Sequence, residues 1–249
     1  MKKILKRVIL AVIALIILAV ITFFIWTQFI YTADEVALKG FFDQNSSMLT
    51  ITEHPNYWEI SPICDDIHCP TSGFIFYPGA KIDPQAYFHK LDFLANGNSF
   101  TKTFFITKPP LHLAFFGINQ ADEIIQNNPK ITNWMLGGHS LGGAMSCEYA
   151  KSHAEKIKTL VLFGSYCGSD LSDVDLKTIS IHGSLDGILT PEKVAENAKN
   201  LPPNNRDYII DGMNHAQVGN YGDQSGDNHA TKSDDQVKAE IMVRLENEL

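Results

Sequence analysis

From Val8 to Tyr31 the chain carries no charged residue. Wound as a helix, that stretch is about 36 Å long, enough to cross a bilayer. Nothing in it offers the polar face of a core helix, so the pattern predicts one transmembrane helix. Lys2, Lys3, Lys6 and Arg7 precede it, and Asp34 and Glu35 follow. That asymmetry predicts a single pass through the cell membrane, with a cytoplasmic N-terminus and an extracytoplasmic remainder. A cleaved signal peptide is the competing reading, but the run exceeds the ~7–15 residue apolar core of such a peptide, and Tyr31-Thr32-Ala33 sets a bulky residue where cleavage needs a small one. The expected organisation is a basic N-terminus over 1–7, an anchor over 8–31, a stalk over 32–47 and one globular domain over 48–249.

Past the stalk the periodicity changes twice. Met48 to Glu53 and Tyr57 to Ser61 alternate apolar and polar residues around His54-Pro55-Asn56, the pattern of an antiparallel hairpin. Gly73 to Tyr77 then reads as a fully buried strand, and Thr101 to Thr107, Ile131 to Leu136, Lys158 to Phe163, Thr178 to His182 and Arg206 to Ile210 continue the series. Between them, Pro84 to Ala95, Asn119 to Asn127 and Ala144 to His153 have helical spacing, and Thr190-Pro191 supplies the cap and first-turn proline of a further helix. Strands alternating with helices predict an α/β domain, a mostly parallel sheet with helices on both faces. A chain of 249 residues holds one such domain and is short for two.

Composition refines this in two ways. The 20 Lys and Arg stand against 28 Asp and Glu, a formal net charge of −8, and four of the bases precede the apolar run, so the domain is more acidic than the whole. No basic stripe with interleaved aromatics occurs, which excludes nucleic acid as a partner. Outside the cytoplasm disulfides are permitted, and Cys64 and Cys69 are the expected pair. They bracket Asp65-Asp66-Ile67-His68, but two thiols and one histidine at that spacing lack a fourth ligand for zinc, so no metal is expected. Cys147 and Cys167 read as small buried apolar residues.

Candidate chemistry gathers where strands end. Gly138-His139-Ser140-Leu141-Gly142 fits G-x-S-x-G between a predicted strand and a predicted helix, the setting of a nucleophile elbow. Gly138 and Gly142 leave room where side chains would collide with backbone. Asp186 follows the strand at Thr178 to His182, and His215 follows the strand at Arg206 to Ile210. Serine, acid and histidine thus come in the order Ser140, Asp186, His215, all at the edge where open α/β sheets collect catalytic groups. Asp211 is the reserve acid. His139 is assigned to shaping the elbow rather than to acting as a base, and the Gly219 to Asn228 loop to a surface turn or a substrate rim.

From Gly73 to its C-terminus the chain resembles the compact, lidless bacterial branch of the α/β-hydrolase superfamily. Tyr77-Pro78-Gly79-Ala80-Lys81, Gly137 to Ala144, Gly183-Ser184-Leu185-Asp186-Gly187 and Gly212 to Gln217 are similar, in order, to that branch's oxyanion loop, elbow, acid loop and histidine loop. Pro78-Gly79-Ala80 stands where many relatives carry His-Gly. The resemblance implies a serine hydrolase working through Ser140, His215 and Asp186, with an oxyanion hole formed by the Leu141 N–H and that of Ala80 or Gly79. No metal or organic cofactor is required. Leu111 and Phe115, on the segment after the Thr101 to Thr107 strand, are candidate pocket residues. Gly164 to Lys177 is too short for a lid domain, which predicts an open site and short or medium carboxylic esters as small-molecule substrates. A peptidase or acyltransferase on the same triad, and a non-catalytic binding module of the same fold, are the rival readings.

Overall fold

The structure is a computed structural model that describes residues 2–64, 69–96 and 102–248. It divides into two units, Met1–Ile30 and Tyr31–Leu249. The first contains helix α1, Lys2–Thr27, whose 26 residues are long and apolar enough to cross a membrane.

The second unit opens on α2, Glu35–Asn45, capped by Asp34, whose Oδ1 accepts the Ala37 N–H at 2.8 Å. Strands β1 (Leu49–Glu53) and β2 (Tyr57–Pro62) form the expected hairpin. They are followed by β3 (Ser72–Tyr77), short helices α3 (Phe88–Leu91) and α4 (Phe93–Asn96), and β4 (Thr103–Thr107). Then come α5 (Gln120–Asn127), β5 (Asn133–His139), α6 (Leu141–Ser152) and β6 (Ile157–Phe163). The unit ends with β7 (Lys177–Gly183), α7 (Pro191–Asn197), β8 (Arg206–Ile210) and α8 (Asp234–Glu246). The eight strands form one sheet in the order β1-β2-β4-β3-β5-β6-β7-β8. It is antiparallel at β1/β2 and β2/β4 and parallel from β4 onward.

Strand alternation feeds two cores. Phe74 and Phe76 of β3 join Phe104, Ile106, Val161 and Phe163 on one face, while Ile75 and Tyr77 join Phe105, Leu136, Leu160 and Leu162 on the other. Residues buried on both faces explain why these strands read as unbroken apolar runs. The 164–176 connection between β6 and β7 carries no helix or strand, as its length predicts.

Several expectations are corrected. The segment read as a stalk is part of the domain, because α2 is amphipathic: Phe41 is fully buried, 5.3 Å ring to ring from Phe88. Tyr31, assigned to the end of the span, bridges Ile82 instead. The helix expected over Pro84 to Ala95 is a 3-10 turn followed by α3 and α4. Helix α8, which the sequence reading lacked, packs through Val237, Ile241 and Leu245 and starts with a capping box between Ser233 and Gln236. The Asp65 to His68 loop and the Thr101 start of the fourth strand lie outside the described residues.

Cys64 and Cys69 are bonded as expected. Cys147 and Cys167 are buried as expected, yet they too are bonded to one another, tying α6 to the loop after β6. With a sequence separation of 20 residues, this crosslink should contribute about 3 kcal/mol by restricting the unfolded chain. Denaturant unfolding of the full chain is expected to show a loss of that order in Cys147→Ser/Cys167→Ser. An unchanged midpoint would mean that the bridge adds nothing to stability.

Candidate active site

A single residue, Ser140, separates β5 from α6, and it sits at φ 52°, ψ −120°. Such a conformation costs a non-glycine residue about 1–3 kcal/mol and persists only where its surroundings fix it. Here they do. A Cβ on Gly138 would lie 2.5 Å from the Gly142 carbonyl carbon, and one on Gly142 would lie 2.0 Å from Tyr77 O and 2.4 Å from Pro78 O. Only glycine at both positions lets the start of α6 press against the ends of β3 and β5. The Ser140 N–H donates to Phe163 O at 3.0 Å, and the Ser165 hydroxyl donates to Ser140 O at 2.7 Å, so the strained peptide is held from both sides.

The predicted acid and base meet beside it. His215 Nδ1 is 2.8 Å from Asp186 Oδ2, and both residues are almost wholly buried. Asp186 Oδ1 accepts the N–H groups of Ile188 at 2.9 Å and Leu189 at 2.6 Å. A carboxylate engaged on both oxygens cannot swing away, and it fixes the imidazole with its proton on Nδ1 and a lone pair on Nε2. Among the described residues that buried Nε2 has no partner. His215 and Ser140 line one cavity of about 250 Å3. Asp211, the reserve acid, instead accepts the Ser184 hydroxyl at 3.0 Å.

Two further residues support this pair without any motif to announce them. Asp227 bridges the acid and histidine loops, accepting the Gly187 N–H on Oδ1 and the Ala216 N–H on Oδ2, each at 2.9 Å. It lies in the Gly219 to Asn228 loop, whose composition reads as a surface turn or a substrate rim. Gly164 ends β6 at φ 48°, where a Cβ would stand 3.1 Å from His215 Nδ1 and 3.3 Å from Asp186 Oδ2. Strand ends beside a G-x-S-x-G turn are where such a glycine is worth seeking.

On the other side of the serine, Leu141 opens α6 while the Pro78 to Ile82 turn lies against Gly142. The Gly79 N–H donates to Tyr87 Oη at 2.9 Å, which removes Gly79 from the candidate oxyanion donors. The Leu141 and Ala80 N–H groups have no partner among the described residues. Tyr87 Oη is also 3.0 Å from His139 Nδ1. With the Gly79 N–H on its oxygen, its own proton goes to that nitrogen in the tautomer that carries the His139 hydrogen on Nε2. His139 is fully buried, 4.5 Å ring to ring from His215. Burial first, and the neighbouring His215 second, hold its pKa well below the usual imidazole value.

The cavity is walled by Tyr166 of the loop after β6 and by Ile188 and Leu189 of the acid loop. Leu111 and Phe115 do not line it. Leu111 and His112 take φ 57° and 55°, turning the segment so that Leu113 and Ala114 enter the core and Phe115 faces outward against Phe116. Among the described residues, no group of three or more His, Cys, Asp or Glu is placed to hold a metal ion.

A family model described as "Alpha/beta hydrolase family" matches residues 73–239. No curated protein matches the sequence. Among solved structures, a predicted CIB-like hydrolase from Thermoplasma acidophilum superposes with a TM-score of 0.60 at 12% identity, covering 80% of this chain and 99% of the other. A thermophilic esterase from Thermogutta terrifontis gives 0.56 at 11% identity, covering 80% and 97%. A membrane phospholipase A, described as a bacterial virulence factor, also gives 0.56 at 11% identity, but covers 97% of this chain and 98% of its own. At these identities the likeness is one of fold.

Gly164 provides a test of the geometry that leaves every reacting group in place. In Gly164→Ala the methyl group meets both His215 and Asp186 in a backbone conformation that alanine resists, so kcat should fall about a hundredfold with KM little changed. Steady-state kinetics beside a thermal melt would check this, and full activity in a folded variant would contradict the contact.

Proposed function

The chain belongs to the alpha/beta hydrolase family, and from that premise we propose that it is a membrane-anchored serine hydrolase of short or medium carboxylic esters. The observation that carries this reading is the His215 to Asp186 hydrogen bond, with His215 Nε2 unpartnered among the described residues and His215 and Ser140 lining one cavity. Ser140 Oγ attacks the ester carbonyl carbon as its proton passes to His215 Nε2. The resulting oxyanion takes hydrogen bonds from the Leu141 and Ala80 N–H groups, each worth about 3–4 kcal/mol in the transition state. Collapse breaks the bond to the alkoxy group, which leaves as an alcohol with the proton from His215. Water then attacks the acyl-enzyme, again giving its proton to His215, and the carboxylic acid departs as Ser140 recovers its hydrogen.

The small cavity and the lidless 164–176 connection favour short or medium acyl groups. A site this open excludes little water from a long chain, so catalysis relies on the triad and oxyanion donors rather than on extended apolar burial.

Anchoring by α1 is supported by its length and composition and by the basic residues on its N-terminal side. The match over 97% of the chain to the membrane phospholipase A leaves few residues unmatched, so it extends into that helix. Two disulfides suit a domain outside the cytoplasm.

Two measurements test the proposal. The full chain should be labelled by a fluorophosphonate at Ser140 and hydrolyse short aryl esters. Ser140→Ala and His215→Ala should lose several orders of magnitude in kcat, and Asp186→Asn somewhat less. A chain that is never labelled would be a binding module of the same fold.

Protease added to intact cells or protoplasts should digest the domain while it remains membrane-attached. Protection, or release of a soluble form beginning near Asp34, would remove the anchor.

A further inference from the structure

We propose that the catalytic edge of the domain docks on a lipid bilayer through Phe115 and Phe116, and that the site draws membrane-resident amphiphilic esters from that surface. This rests on the anchored-hydrolase reading above and adds to it the source of the substrate.

The first observation is where the chain enters the domain. The Tyr31 N–H donates to Lys81 O at 2.7 Å, the Asp83 N–H donates to Tyr31 O at 2.9 Å, and the Asp34 N–H donates to Asn220 O at 2.8 Å. Tyr31 also packs 5.7 Å ring to ring from Tyr221. Within the domain, then, the first residues are pinned to the oxyanion loop and to the loop that follows His215. A sheet has two ends, and the chain joins this one at the catalytic end. Only residues 28–30 separate Thr27 from Tyr31, and three residues reach about 10 Å at full extension. The domain is therefore tethered at its catalytic edge, and the proposed docking sets that edge on the bilayer.

The second observation is what the edge displays. Lys81 N–H donates to His112 O at 2.7 Å, which joins the Lys108 to Phe116 segment to the same loop. That segment satisfies the core with Leu113 and Ala114, yet it leaves Phe115 45% and Phe116 49% exposed, their rings 4.4 Å apart. Tyr166, which walls the cavity, is 38% exposed. Adjacent exposed aromatic rings on a soluble face are a liability. At a membrane interface they are anchors, because their flat apolar bodies sit among headgroups and upper acyl chains. The domain is acidic, so apolar insertion rather than attraction to anionic lipid is the mode that fits. An ester taken from that surface would place its acyl group in the cavity while the rest of the amphiphile stays in the bilayer.

The test uses the full chain in phosphatidylcholine vesicles. In a Trp26→Phe background, Phe116→Trp introduces an indole at the proposed contact. Bromine atoms on the lipid acyl chains should quench the added emission beyond the level of the parent. Emission that is unquenched, or shielded by a second copy of the chain, overturns the proposal.

This readout needs no activity, so it is separate from the hydrolase reading, whose own failure would appear as an unlabelled Ser140. As a second measurement, Phe115→Ser/Phe116→Ser should turn over a soluble aryl ester at the parent rate but lose about tenfold or more on an ester embedded in vesicles. Equal rates on both substrates, or equal losses, would count against docking.

Discussion

The close approach of α6 to the ends of β3 and β5 is the constraint on which the site depends. It exists because Gly142 has no Cβ to strike Tyr77 O and Pro78 O, and because Gly138 has none to strike Gly142. That contact keeps Ser140 in a left-handed conformation and brings the first N–H of α6 beside the Pro78 to Ile82 turn. The proposed nucleophile and oxyanion donors are therefore set by one backbone contact rather than by side-chain packing. The rest of the parallel sheet makes the contact rigid, since β3, β5 and β6 are neighbours with both faces buried. Strain of this kind survives only on such a support.

The acid and base depend on a different economy, that of hydrogen bonds between loops. β7 and β8 are adjacent, so the loops that follow them end side by side. Asp186 joins them directly through His215, and Asp227 joins them again through the backbone of Gly187 and Ala216. Gly164, on the next strand inward, leaves the space that lets the pair sit against β6. Loops held this way keep His215, the proposed base, in register with Asp186.

Much of this was legible in the sequence because it is local. Unbroken apolar runs mark strands buried on both faces, and a serine among glycines between a strand and a helix marks the elbow. The order of Ser140, Asp186 and His215 follows from strand order alone. What was not legible depends on contacts remote in sequence. The bond between Cys147 and Cys167 and the clamp by Asp227 need elements that only the fold brings together. Phe41 makes the segment 32–47 part of the core, which a short amphipathic stretch after an apolar run does not announce. Leu111 and Phe115 were misplaced because two successive left-handed residues reverse the segment, and neither is the glycine that would signal it. Helix α8 had a usable signal in Val237, Ile241 and Leu245, spaced four apart behind a serine cap.

Two histidines whose rings lie 4.5 Å apart would oppose each other if both were charged. In the proposed reaction His215 becomes an imidazolium, which a neutral His139 leaves unopposed. The surroundings of His139 favour that neutral state. Burial removes the water that would stabilise its cation, and the adjacent His215 opposes a second positive charge; Tyr87 Oη, 3.0 Å from Nδ1, can donate its proton only to the neutral ring. Tyr87 is itself kept protonated, since burial pushes its own pKa up by more than the Gly79 N–H donated to its oxygen pulls it down. The Gly79 N–H, bonded to that hydroxyl, is thereby unavailable to an oxyanion. His139 and Gly79 thus meet at Tyr87, beside the histidine proposed to take the proton of Ser140.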